Sequence, residues 1–288
     1  MEFTYYNNFN GKVRQEGIEA AADYARALGF SSVEPLGGMD CRYPVSVEDA
    51  RHMKTVLQSR GMRTACYSVG ITVWGNEAAA EASLMKHLEI AAAAGSPYLH
   101  HTLLLSLAPI PGGPSYEEAM EAVLPVALRV AQRAESLGVM CLYEPQGMYF
   151  NGLQGFSTFF SEMKRLTANV GVCADLGNTW FVDESILPIL EKFGSDVKHV
   201  HVKDYRIREI PPTDGEKYYI SRGGKYICNV LPGTGVVDFA ACRRLLDDVG
   251  YTGAFAMENS HPEPFEEGVK RAMCALTQGE ACIMKGLL

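Results

Sequence analysis

Short apolar runs rich in β-branched and aromatic residues recur along the chain, with helical patterns between them. Eight such runs occur: FTYY (3–6), SSVEPL (31–36), RTACYSV (63–69), PYLHHTLL (97–104), VMCLYEP (139–145), VGVCADL (170–176), VKHVHVKD (197–204) and GAFAMEN (253–259). Their length and nearly continuous apolar character fit parallel strands buried on both faces. The intervening segments place apolar residues at helical spacing. Residues 17–29, 46–61, 76–95 and 115–138 each end on a glycine suited to close a helix. Ser46 with Asp49 and Ser115 with Glu118 have the spacing of a capping box. Pro125 is expected to kink the fourth helix or reset its first turns. Shorter helices are expected over 155–168, 184–194, 237–249 and about 263–277. Eight strands, each followed by a helix, predict an α/β chain closed into a (β/α)8 barrel. The competing doubly wound sheet calls for a glycine-rich first turn, and the turn after FTYY is NNFNGK, without GxGxxG.

No shift of composition divides the 288 residues, so 1–288 read as one domain. Its one irregularity is the long stretch from about 205 to 235, where EKYYISRGGKYICNV alternates around a Gly-Gly turn. That pattern predicts a hairpin insertion serving as a lid or an oligomer contact. The following PGTG is too short to be a phosphate-binding loop. A formal net charge of -8 argues against a nucleic-acid surface, which needs clustered Lys and Arg. No apolar run approaches a membrane span, and the start MEFTYYNNFNGK lacks signal-peptide character. Eight scattered cysteines with no CxxC pair read as free thiols in a reducing compartment. The expectation is a cytoplasmic protein without nucleic-acid or membrane partners.

In such a barrel the working face lies at the carboxyl ends of the strands. The last four strands end in Glu144, Asp175, His201 and Glu258. Neighbouring strands are about 5 Å apart, so inward side chains from four of them can converge on one ion. Three carboxylates crowded together without a cation would repel, which favours a divalent metal. Hard oxygen donors suit Mn²⁺ or Mg²⁺, and Zn²⁺ or Co²⁺ less specifically. The strand VKHVHVKDY places His199, His201 and Lys203 on one face, with His201 at the mouth and His199 a layer deeper as a structural group.

The segments LYEPQG, GVCADLGNTW, VKHVHVKDY, LPGTGVVDF and FAMEN resemble the signature blocks of the sugar phosphate isomerase/epimerase superfamily. These are xylose-isomerase-like TIM barrels that include ketose 3-epimerases, hydroxypyruvate isomerase, inosose dehydratase and endonuclease IV. The blocks lie in the second half of the chain; the first half matches in its βα rhythm and in SSVEPL. The resemblance implies that Glu144, Asp175, His201 and Glu258 hold the metal, and that the two glutamates double as acid and base. It also exposes a departure. Many members carry a histidine three residues after the sixth-strand aspartate, where this chain has Asn178. An amide can hydrogen-bond a hydroxyl but cannot move protons at neutral pH. The Asp-x-His pair of endonuclease IV is absent after the seventh strand, so a three-zinc DNA-repair site is not expected.

The implied chemistry is proton removal beside a carbonyl, with the ion stabilising the enediolate and Glu144 and Glu258 as the proton-transfer pair. The substrate would be a small sugar or polyol ketone, and the enzyme an isomerase or epimerase. A lyase of the same fold, cleaving water from an inosose or a C-glycosidic bond, stays open as the alternative, as does a non-catalytic sugar-binding barrel. Asn178, His101 (or its neighbour His100), Glu34, Arg206 and Trp74 are candidate substrate contacts, with Tyr6 and Tyr67 as further aromatic walls. Asp204 is expected to orient His201 from behind. Barrels of this type commonly pair, so a homo-oligomer, dimer or tetramer, is expected.

Overall fold

The computed structural model describes residues 1–38, 43–107, 110–147, 149–213, 215–258 and 264–278. The barrel strands are β1 (Glu2–Tyr5), β2 in two pieces (Ser32–Val33 and Leu36–Gly37), β3 in two pieces (Arg63–Thr64 and Tyr67–Val69), β4 (Tyr98–His101), β5 (Met140–Tyr143), β6 (Val170–Asp175) and β7 (Val197–Val202). After an insertion the last barrel strand follows, β11 (Ala254–Met257). Every barrel pairing is parallel, and β11 lies between β7 and β1. The ring closes between β2 and β3, where Ser32 pairs with Arg63 and Leu36 with Ser68. The pieces are separated at Pro35, which has no N–H to donate. Its carbonyl still accepts from the Ser68 N–H at 3.0 Å, and the Ala65 N–H reaches the Val33 carbonyl, so the ladder continues across the break. The expected (β/α)8 barrel is therefore the fold.

Among the described residues eight α-helices follow the strands: α1 (Phe9–Ala27), α2 (Val47–Gln58), α3 (Glu77–Ala93), α4 (Tyr116–Ser136), α5 (Leu153–Leu166), α6 (Leu187–Phe193), α7 (Phe239–Asp248) and α8 (Phe265–Gln278). Both predicted capping boxes form, each serine hydroxyl accepting from the N–H three residues on while the acid reaches back. Gly61 and Gly95, each at φ 69°, end α2 and α3 in the left-handed region that a side chain disfavours. Two helices differ from expectation. The first begins at Phe9 rather than 17, and Gly17 (φ 87°, ψ 166°) marks its kink. Helix α4 runs through Pro125 as one element, since proline nine residues into the helix removes one bond without ending the others.

Strand alternation sorts the side chains into two sets. Tyr67, Val69, Leu99, Tyr143, Val172, Val200 and Val202 point outward into the apolar core shared with the helices. The inward set is smaller and more polar: Thr4, Ser32, Cys66, Ser68, Leu142 and Cys173 fill the barrel, with a Thr4–Ser32 hydroxyl bond of 2.7 Å. Barrel interiors are normally filled by Val, Ile and Leu. A polar interior is costly unless its groups are paired, and here it supports the mouth.

The expected hairpin forms as β9 (Tyr219–Ile220) and β10 (Tyr226–Val230). A third antiparallel strand, β8 (Asp204–Arg208), joins it directly after β7. Among the described residues no helix is long and apolar enough to cross a membrane. The free-thiol expectation holds for Cys66, Cys141, Cys173, Cys228 and Cys242, all buried. It fails at Cys274, which is disulfide-bonded. Sequence spacing does not reveal which thiols meet in space.

Candidate metal centre

The carboxyl ends of β5, β6, β7 and β11 bring Glu144, Asp175, His201 and Glu258 together. One ligand atom from each lies within 4.8 Å of the others. Register explains the convergence. Asp175 pairs with His201 across β6 and β7, and His201 pairs with Ala256 of β11, which leaves Glu258 at the rim. His201 Nδ1 lies 3.6 Å from Glu144 Oε1 and 3.4 Å from Glu258 Oε2, yet it has no hydrogen-bond partner. Asp175 accepts the Gly177 and Asn178 N–H groups through Oδ1 alone, so Oδ2 is turned to the centre. An orphaned buried imidazole nitrogen among three carboxylates is a donor set that a single divalent cation satisfies. The residues fit the implied metal.

The electrostatics agree with that fit. Burial, then Glu144 and Glu258, push the Asp175 carboxyl well above the usual range against the pull of Lys203. Burial also works on Glu144, but His100 and His201 outweigh it and hold that carboxyl well below the usual range. Burial opposes a charged His201, while Cys173 and Glu34 raise its pKa above the ordinary imidazole value.

Below the four groups lies a second polar layer. Glu34, fully buried, accepts from His199 Nε2 at 2.7 Å and from His201 Nε2 at 3.1 Å, and it accepts a hydrogen bond from the Ser68 hydroxyl. Ser68 in turn meets His100 Nδ1 at 2.9 Å, and His100 Nε2 lies 2.9 Å from Glu144 Oε2. Burial acts on Glu34 too, but the two histidines hold it well below the usual carboxylate range. As an acceptor only, it obliges His201 to donate through Nε2 and to turn Nδ1 toward the carboxylates. Tyr6 covers the other side of that ring, stacked at 4.8 Å.

At the rim, Asn178 is clamped on three sides. Its Nδ2 donates to Glu144 Oε1 at 2.7 Å, and its Oδ1 accepts from Lys203 Nζ at 3.1 Å and from the Tyr205 hydroxyl at 3.4 Å. Lys203 Nζ also reaches Asp175 Oδ2 at 3.0 Å and Glu258 Oε1 at 2.8 Å. A side chain at Gly177 would put Cβ 2.8 Å from Lys203 Cγ, so glycine lets this loop approach the hairpin base.

Several expected contacts lie elsewhere. His101 points outward, edge-on to Tyr143 at 5.1 Å, because alternation turns His100 inward instead. Glu34 lies beneath the centre rather than at the mouth, one layer below the predicted substrate level. Arg206 is exposed on β8 and pairs with Glu216 at 3.8 Å, so its charge is already engaged away from the rim. Trp74 is half-buried and packs on the helix-side core, and Tyr67 points the same way with its hydroxyl 2.9 Å from His87 Nδ1. Asp204 does not back His201. Its carboxylate accepts four backbone N–H groups, from Tyr205, Gly233, Gly235 and Val237, and so ties the loop after β10 to the end of β7. Sequence reading passed over Ser68 and His100 as members of the buried layer and Lys203 as a group at the rim. For Lys203 the signal was present, since it shares the face of His199 and His201.

Burial lowers the His101 pKa to about 4, so the ring is neutral in the folded chain. The folded value lies below the unfolded one, near 6.5. Stability from this group is therefore full above pH 6.5 and is lost as pH falls toward 4, by about 3 kcal/mol. His101→Gln should flatten the acid limb of the melting-temperature profile relative to wild type; identical profiles would remove this assignment.

The sequence pattern of the xylose isomerase-like TIM barrel family matches residues 22–278. Among curated relatives, an inosose dehydratase of Yersinia enterocolitica is 30% identical over 138 residues, covering 46% of this chain and 45% of that protein. The chain thus matches about half the length of such relatives. Among solved structures, D-psicose 3-epimerase with D-tagatose from Clostridium cellulolyticum H10 superposes with a TM-score of 0.68 at 17% identity, covering 89% of this chain and 84% of that one. A xylose isomerase-like TIM barrel protein from Mycobacterium smegmatis in complex with magnesium gives 0.69 at 17% identity, covering 94% and 89%. At these identities the structural likeness is one of fold.

Proposed function

Since the chain belongs to the xylose isomerase-like TIM barrel family, we propose that it is a divalent-metal-dependent enzyme acting on a small sugar or polyol ketone by removing a proton beside the carbonyl. The observation that carries the reading is the unpartnered Nδ1 of His201 facing Glu144, Asp175 and Glu258 at the mouth of the barrel. These four residues would hold the ion. When bound, it supplies Lewis acidity to the carbonyl and an adjacent oxygen, lowering the cost of the negative charge left by deprotonation. The oxygen-rich donor set favours Mn²⁺ or Mg²⁺, and the magnesium complex of the mycobacterial neighbour supports a hard cation.

Glu144 and Glu258 come from β5 and from the end of β11, on either side of β6 and β7, and can flank a flat intermediate. One takes the proton and the other returns it, on the opposite face for epimerisation or at the next carbon for isomerisation. Asn178 keeps Glu144 aligned, and Tyr6 holds the His201 ring in place. A homo-oligomer is part of the proposal, with the exposed Tyr218, Tyr219 and Ile220 of the hairpin as the apolar contact.

Dehydration is the second reading, supported by the relatives named inosose dehydratase. It shares the first proton transfer and differs in losing a hydroxyl afterwards. The test is metal analysis of the purified protein followed by incubation of ketoses and inososes with Mn²⁺ in D₂O. Deuterium incorporated into an interconverted ketose supports the isomerase or epimerase. Loss of water with a new conjugated absorbance supports the lyase. Bound metal without exchange or product across both panels leaves a binding barrel and overturns both.

A further inference from the structure

Lys203 is an ammonium that the structure builds into the cluster of carboxylates. Its ammonium ion-pairs with Asp175 Oδ2 at 3.0 Å and Glu258 Oε1 at 2.8 Å and donates a hydrogen bond to Asn178 Oδ1 at 3.1 Å. Two of these acceptors are oxygens that the proposed divalent ion needs. The ammonium leaves two ligand atoms of the centre without a hydrogen bond, His201 Nδ1 and Asp175 Oδ2. An ion that uses that nitrogen as well satisfies more of the centre than Lys203 does, and it carries twice the charge.

We propose that Lys203 is a built-in counter-ion, holding Asp175 and Glu258 until a divalent cation takes their oxygens and then presenting its freed donors at the mouth. The inference rests on the metal-dependent reading above. The side chain has reason to stay close when displaced: its stem packs against Gly177, and Asn178 Oδ1 is an acceptor that the ion does not claim. With its ion pairs to Asp175 and Glu258 released at a rim where the side chain of Lys203 is 12% exposed and that of Glu258 20% exposed, the ammonium can donate to hydroxyl or carbonyl oxygens of a polyol ketone. A divalent ion also brings one more positive charge to the centre than Lys203 supplies, which favours negative charge developing on a substrate oxygen.

Two measurements on the intact protein test this, both with Mn²⁺ alone. In calorimetric titration, Lys203→Met should bind Mn²⁺ at least about 10-fold more tightly than wild type, since a competing cation has been removed. Lys203→Arg keeps the charge and should bind within a few-fold of wild type. In amine labelling read by mass spectrometry, wild-type Lys203 should be acetylated slowly without Mn²⁺ and several-fold faster with it. The labelling arm needs no variant, so a misfolded Lys203→Met does not decide the matter. Equal or weaker affinity in a folded Lys203→Met, or labelling indifferent to the ion, overturns the inference while the metal centre stands. Failure of wild type and variants alike to bind Mn²⁺ overturns both.

Discussion

Glu258→Gln stops exchange of substrate hydrogen with solvent, lowering turnover by about 10²–10⁴-fold, the usual contribution of a positioned acid–base group. The amide keeps the shape and one oxygen toward the centre but cannot accept a proton. Glu144→Gln should cause a similar loss together with a structural one. Glu144 Oε1 already accepts from Asn178 Nδ2, so an amide with its NH2 on that side meets another donor, and the opposite orientation puts a neutral NH2 in place of the carboxylate oxygen that faces His100 Nε2. Leaving a buried donor unpaired costs about 1–3 kcal/mol. Glu258 has a freer surrounding at the rim, so its variant should melt near wild type. Deuterium uptake by NMR and thermal melts measure the two effects separately. Exchange at the wild-type rate in both variants would show that neither glutamate moves the proton.

Glu34→Gln weakens divalent-ion binding about 10–100-fold although Glu34 is not among the four groups at the mouth. The cause is the donor arithmetic of the buried layer. Glu34 accepts from His199, His201 and Ser68, and a glutamine must turn its NH2 toward at least one of them. With the NH2 in place of Oε1, the His201 ring loses the acceptor that fixes Nε2 as the donor and Nδ1 as the nitrogen facing the carboxylates; with it in place of Oε2, that acceptor loses its negative charge. Calorimetry with Mn²⁺ gives the affinity. Nitrogen-15 shifts of labelled imidazoles give the protonation pattern, which a merely loosened core would not alter. Unchanged affinity with an unchanged His201 pattern would reduce Glu34 to a packing residue.

The β-rich runs and the glycine-closed helices predicted eight βα units, and the ends of strands five to eight predicted where Glu144, Asp175, His201 and Glu258 would sit. These were readable because burial on both faces, capping and helix closure are properties of short segments. His101 and His100 were not separable, since they are adjacent and alternation puts only one inward. Asp204 was misplaced for a related reason. Its carboxylate is satisfied by Gly233, Gly235 and Val237, about thirty residues away, and nothing in KDY announces that loop.

The chain by itself therefore determined the repeating units, their caps and the chemical identity of what each strand carries to the barrel mouth. Only the tertiary structure decided which parity of each strand looks inward and which distant groups share a hydrogen bond. That is how Glu34 and His100 became supports and Lys203 a partner of two carboxylates. Periodicity is encoded over a few neighbouring residues, whereas register is set by closing eight strands into one ring. A shift of one residue exchanges the inward and outward faces of a strand.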